Sequence, residues 1–216
     1  MIIDIEDIQN IFLAKKINIK GCFHVGSHDC EEATIYMDKL GVKPEDIVWV
    51  DALAFKVYQS SVLRGIPNVY HALITDKDDE DTLFNVANDL QSSSIFEFGT
   101  NAFLTHPRIP RIVFIDKIHI NSITIDTFFS RNNLDASKYD FWNLKIKGAE
   151  LLALKGATQS IKYAKALYIE VSSKELYKDS PLIQDIDTYL AQFNFKRVLT
   201  NITIHKWGDA LYILNT

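Results

Sequence analysis

Residues 139–157, YDFWNLKIKGAELLALKGA, constrain the fold more than any other part of the chain. An apolar run ends at Gly148, and Ala149 and Glu150 then open a helix whose Leu151, Leu152, Leu154 and Ala157 form an apolar face. In open α/β sheets such strand ends deliver side chains into a ligand crevice at their carboxyl edge. Here the delivered residues are Lys145 and Lys147, with Glu150 beside them.

The flanking sequence repeats this strand-then-helix rhythm. Residues 21–25 read as a short buried strand followed by Gly26 and a helix over 31–40. A second strand over 47–50 ends on Asp51, a helix follows through about residue 62, and a third strand covers 69–74. Residues 83–86 and 112–120 have strand character, ITIDTFF starts a short helix or turn, and 166–171 is a strand leading to a helix over 182–193. The chain then ends in two antiparallel strands, 196–204 and 210–214. This order predicts an α/β, mainly parallel, doubly wound sheet with helices on both faces and a C-terminal antiparallel hairpin. Residues 4–16 have a helical period, giving an N-terminal cap over 1–20.

A length of 216 residues, with 47% hydrophobic and 24% charged, fits one globular domain over 1–216. The net charge of −5 argues against a general grip on nucleic acid, although Lys145, Lys147 and Lys155 lie close together. No run of about 18 apolar residues and no basic leader is present, so no membrane partner and a cytoplasmic location are expected. Cys22 and Cys30 are too few for a disulfide framework, and the sequence leaves open whether they pair. Without a CxxC spacing, zinc is not expected, and the acidic run 76–81 reads as a solvated loop; no metal site is predicted.

Two features suit a nucleoside ligand. Gly26, in HVGSHDCEE after the first strand, lets backbone approach a ligand, or else simply makes a turn. Asp51 lies 25 residues later, where a carboxylate can accept from ribose hydroxyls or cap the next helix. GxGxxG is missing, which weakens a dinucleotide reading.

GAELLALKGA, IEVS followed by ELY, and the closing WGDALYI together resemble the FkbM family of S-adenosylmethionine-dependent methyltransferases, over residues 20–214. The resemblance implies a Rossmann-like class I methyltransferase fold, S-adenosylmethionine as cofactor, and O-methylation of a hydroxyl on a sugar, glycan or small molecule. Gly26 matches the first glycine of the family's G-A-N-x-G-like turn, Ser27 and His28 take its small and polar places, and Cys30 replaces the second glycine. Asn85, Asn88 and Ser92 to Ser94 match an F-N-x-x-N…S-S-S pattern, and His106-Pro107 matches a family loop. The implied cofactor contacts are Gly26, Ser27, His28, Asp51, Asn88 and Ser93. At the acceptor the chain departs from the family: Lys145 stands where an aspartate is usual, and Lys147 where glutamine or glutamate is common.

A hydroxyl acceptor needs a base or a metal to become a competent nucleophile. Lysine is no metal ligand while charged, and acts as a base only where burial or nearby cations lower its pKa. Lys147 pushes Lys145 that way and Glu150 opposes it. The catalytic candidates are therefore Lys145, Glu170 and His205, with Lys147, Glu150, Trp207 and Asp209 toward the acceptor. Glu170 has a structural alternative, an ion pair with a lysine such as Lys145; His205 can be merely exposed and Trp207 merely packed. The expected partner is a small-molecule or carbohydrate substrate, and self-association as a homo-oligomer is left open. Loss of the aspartate carries its own reading, a methyltransferase fold with a binding or structural role. An RNA 2′-O-methyltransferase would need a basic channel that an acidic chain does not obviously provide.

Overall fold

The computed structural model describes residues 1–101 and 111–215, so His106 and Pro107 lie outside the described residues. Helix α1 (Ile5–Lys15) is capped by Asp4, whose side chain accepts from the Glu6 N–H, and it ends where Lys16 turns left-handed. Strand β1 (Cys22–Val25) leads through the Gly26 turn to a π-helical segment, Ile35–Lys39. Then come β2 (Ile47–Asp51), helix α2 (Ala54–Tyr58) running on into a π-helical turn (Gln59–Leu63), β3 (Val69–His71) and β4 (Leu73–Ile74). The second half holds β5 (Asp81–Ala87), β6 (Phe114–Ile123), α3 (Ile125–Arg131), β7 (Phe141–Leu144) and α4 (Glu150–Lys155). It finishes with β8 (Ala166–Ser172), α5 (Ile183–Ala191), β9 (Phe195–Ile202) and β10 (Trp207–Leu214).

Among the described residues, seven strands form the main sheet in the order β3-β2-β1-β7-β8-β10-β9. Pairings among β3, β2, β1, β7 and β8 are parallel, and β10 runs antiparallel to both its neighbours. The five parallel strands and the final hairpin are those the sequence predicts. Their side chains alternate between two cores, as the pleat requires. Phe23, Val25, Trp142, Leu144 and Ile169 pack under α3, α4 and α5. Cys22, Trp49, Phe141 and Tyr168 pack on the other face with Ile8 and Phe12 of α1 and Tyr36 of the π-helical segment. Helices therefore cover both faces. Cys22 and Cys30 are free and buried.

The third strand differs from expectation. Residues 69–74 split at Ala72, whose N–H donates to the Asp51 carbonyl at 3.0 Å. Val69–His71 stays in the main sheet, while Leu73–Ile74 pairs with the end of β6 in a separate three-stranded sheet, β4-β6-β5. That sheet carries the segment after β5 back over the main sheet, where bridges Asn85–Ser94 and Phe98–Tyr177 fasten it.

Candidate active site

Chain direction across the sheet reverses at β1, which lies between β2 and β7. A crevice opens at such a switch point, outside the carboxyl ends of the strands. Gly26 sits in it at φ +82°, its N–H donating to the Val50 carbonyl at 2.8 Å. A Cβ added to Gly26 would lie 2.1 Å from the Lys145 carbonyl oxygen, so the ends of β1 and β7 meet at backbone contact. Asp51 closes β2, its carboxylate accepting from the His28 N–H at 2.7 Å and the Leu53 N–H at 2.9 Å. Burial raises its pKa against the pull of those two bonds. Each oxygen keeps a lone pair for a ribose hydroxyl.

Gly26, His28, Asp51, Ser93 and Lys145 line this cleft. It encloses about 60 Å³, narrowed by Leu53, Leu90 and Gln91, which lie at a helix start and in a turn rather than inside strands. The acceptor pair at Asp51 and the side-chain-free approach over Gly26 fit the nucleoside end of S-adenosylmethionine in chemistry, and a nucleoside would need Leu53, Leu90 and Gln91 displaced to enter. Ser27 is buried and is not among the cleft's lining residues. Asn88 does not line the cleft; its amide donates to the Arg111 carbonyl and accepts from the Val113 N–H, joining the end of β5 to the chain before β6.

The turn after β7 is held by Glu150. Its two carboxylate oxygens accept the N–H groups of Ile146 (2.7 Å) and Gly148 (2.9 Å). Burial and the nearby Glu170 push its pKa up to about 8, against the pull of its own N–H, the Ile146 N–H and Lys147. Lys147 adopts φ +55°, and Gly148 follows at φ +98°. A left-handed lysine costs roughly 1–2 kcal/mol. What the conformation achieves is direction: the Lys147 ammonium reaches both Glu170 oxygens, at 2.9 and 2.6 Å, and stands 5.9 Å from the Trp207 ring centroid.

Glu170 thus has a lysine partner, but it is Lys147 and not Lys145. Lys145 turns to Glu32, Nζ to Oε1 at 3.2 Å. Burial works to lower the Lys145 pKa, but Asp209, Glu32 and Glu170 outweigh it and hold the ammonium protonated. Burial likewise works to raise Glu32, and His24 and Lys145 overcome it, leaving the carboxyl at about 2. An ammonium held among carboxylates is a weak general base, and the geometry gives Lys145 the role of an ion-pair partner to Glu32. Glu32, whose Oε1 also accepts from the Met1 ammonium at 3.1 Å, is the partner of Lys145 that the sequence reading missed. The available signal was an acid in the turn after β1 facing a lysine where the family has an acid.

A larger cavity of about 420 Å³ lies beside the cleft. Glu170, His205, Trp207, Tyr177 and Phe98 line it, and Lys147 lines both cavities. Asp209 faces neither. It is fully buried, accepting from the Tyr168 hydroxyl and from the Ile2 N–H at 2.8 Å, and it stands directly across the β8–β10 pairing from Glu170. Asp209→Asn is expected to cost about 1–3 kcal/mol of stability, as a buried partner is lost. Urea melts should move while the acceptor KM does not; a KM change at unchanged stability would return Asp209 to the acceptor side.

His28, Asp29 and Glu31 bring possible metal-ligand atoms within 4.8 Å of one another at the cleft mouth. The Lys56 ammonium already donates to both Asp29 oxygens, at 2.8 and 2.9 Å, and so competes with a cation there.

Among solved structures, the magnesium protoporphyrin IX methyltransferase ChlM of Synechocystis PCC 6803 aligns at 9% identity over 98% of this chain and 78% of that one, TM-score 0.47. A SAM-dependent methyltransferase of Aquifex aeolicus aligns at 14% identity over 97% of each chain, TM-score 0.41. No curated protein matches in sequence. The sequence profile of the methyltransferase FkbM domain matches residues 12–197, and the chain belongs to that family of S-adenosylmethionine-dependent methyltransferases.

Proposed function

We propose that the protein methylates a hydroxyl group on a sugar, glycan or ring-bearing small molecule, with Glu170 as general base. The observation that carries this reading is the Lys147–Glu170 pair on the wall between the cofactor cleft and the larger cavity. S-adenosylmethionine, when bound, supplies an electrophilic methyl group. Glu170 accepts the proton of the acceptor hydroxyl, and Lys147 fixes the direction of its carboxylate. Aromatic walls at Trp207, Tyr177 and Phe98, mixed with Glu170, His205 and Ser92, suit an acceptor with a ring face and several hydroxyls.

A second reading, binding without turnover, draws on the ammonium fixed at Lys145. Yet both lysines have an acidic partner, at 3.2 Å and 2.6 Å, so the departures from the family pattern are charge-compensated rather than orphaned. Titration with S-adenosylhomocysteine by calorimetry, followed by radiolabelled methyl transfer to sugar and sugar-nucleotide panels, separates the readings. The native chain is expected to bind and to methylate. Turnover only after Lys145→Asp with Lys147→Gln would establish the non-catalytic reading, and binding by neither folded protein would remove the cofactor assignment of the cleft.

A further inference from the structure

Helix α2 and its π-helical continuation are built inside out. The residues turned inward are Lys56 and Ser60, both buried, with Lys56 neutralised by Asp29. The residues turned outward are Phe55, Tyr58, Val62 and Leu63, exposed by 63, 54, 62 and 66%. A surface helix ordinarily does the reverse. These four side chains present on the order of 500 Å² of largely apolar surface, as large as the biggest patch most monomers show and often a mark of an interaction site. It is also more than half of the ~800 Å² each partner contributes to a standard protein interface.

We infer that this face is where a second copy of the chain docks, through a two-fold interface in which α2 packs on its own counterpart. An isologous contact sets a patch against itself, so any net charge on it would repel. Between positions 54 and 63 the one charged residue is Lys56, which points inward to Asp29; Arg64, next to Leu63, is exposed at the rim, its guanidinium donating to the Asp29 carbonyl. With Arg64 as one cation at its rim, the face has no cluster of lysine and arginine of the kind that recognises a nucleic acid or an anionic membrane. The aromatic pair Phe55 and Tyr58 is of the type enriched at interface cores. The patch lies over β2 and β3 at the edge of the main sheet, and none of its four residues lines either cavity, so pairing leaves the cleft and the acceptor cavity open.

Sedimentation equilibrium of the full chain tests this. The native protein is expected at twice its 24.7 kDa chain mass at micromolar concentration. Phe55→Glu with Val62→Glu is expected at the single-chain mass and still cooperatively folded, with a melt that no longer depends on protein concentration. Should that pair fail to fold, Tyr58→Lys with Leu63→Lys serves instead. A native protein of single-chain mass would overturn the proposal, as would a dimer that survives substitution. Co-sedimentation of a monomeric native chain with phosphatidylcholine vesicles, lost in the variants, would reassign the patch to a lipid surface.

Discussion

Glu170→Gln is expected to slow methyl transfer by about 10²- to 10⁴-fold, the span usual for loss of a positioned base. Affinity for S-adenosylhomocysteine should hold, because Glu170 lines the larger cavity and not the cofactor cleft. Glutamine keeps the shape and still accepts from Lys147, but it cannot take the proton of an acceptor hydroxyl. The competing explanation is structural. The pair is mostly out of solvent, with side-chain exposures of 22% at Lys147 and 11% at Glu170. Breaking a buried pair outright costs about 3–5 kcal/mol. Measuring kcat, homocysteine-analogue affinity and urea stability on one preparation distinguishes the two. Loss of rate alone supports the base; parallel losses in all three assign Glu170 to the fold, and a retained rate removes it from the chemistry.

The parts of this protein decided by short-range pattern were legible in the sequence. Buried strands such as residues 22–25 and 47–51 announce themselves as apolar runs ending in Gly26 and Asp51, and these two residues do meet in one cleft. The break after Ala72 was not legible, because its cause is a second sheet built by distant strands, which takes Leu73 and Ile74 onto β6. The pairing of the acidic and basic groups was equally hidden. Residue order sets Lys145 and Lys147 side by side, but the left-handed turn at Lys147 sends it to Glu170 and leaves Lys145 to Glu32, 113 residues away. Asp209 read as an acceptor contact since it follows Trp207 and Gly208 in the closing motif. Its face is the one Trp207 and Glu170 share, but the Tyr168 hydroxyl and the backbone of Ile2 cover it and bury it fully.

Gly26→Ala should be the most damaging single methyl group that can be added to the site. Two penalties combine there. At φ +82° any L side chain is strained, by roughly 1–2 kcal/mol. The new Cβ would also stand 2.1 Å from the Lys145 carbonyl oxygen and 2.8 Å from its carbon. Those atoms cannot swing aside as a side chain would, because the Lys145 N–H is bonded to the Val25 carbonyl at 2.9 Å within the β1–β7 pairing. Overpacking of this kind typically adds about 1–3 kcal/mol. The combined loss, about 2–5 kcal/mol, is a large part of the stability of a domain that has only about 5–15 kcal/mol to lose. Gly65 supplies the control: its φ is +67°, but a Cβ there meets nothing within 4 Å. Gly65→Ala should therefore show the backbone strain alone, with cofactor affinity intact. In Gly26→Ala the prised-apart strand ends carry both the approachable backbone and Lys145, so cofactor affinity should fall together with the urea midpoint. Equal costs at the two glycines would mean that the contact between β1 and β7 is not what requires glycine at the head of the cleft.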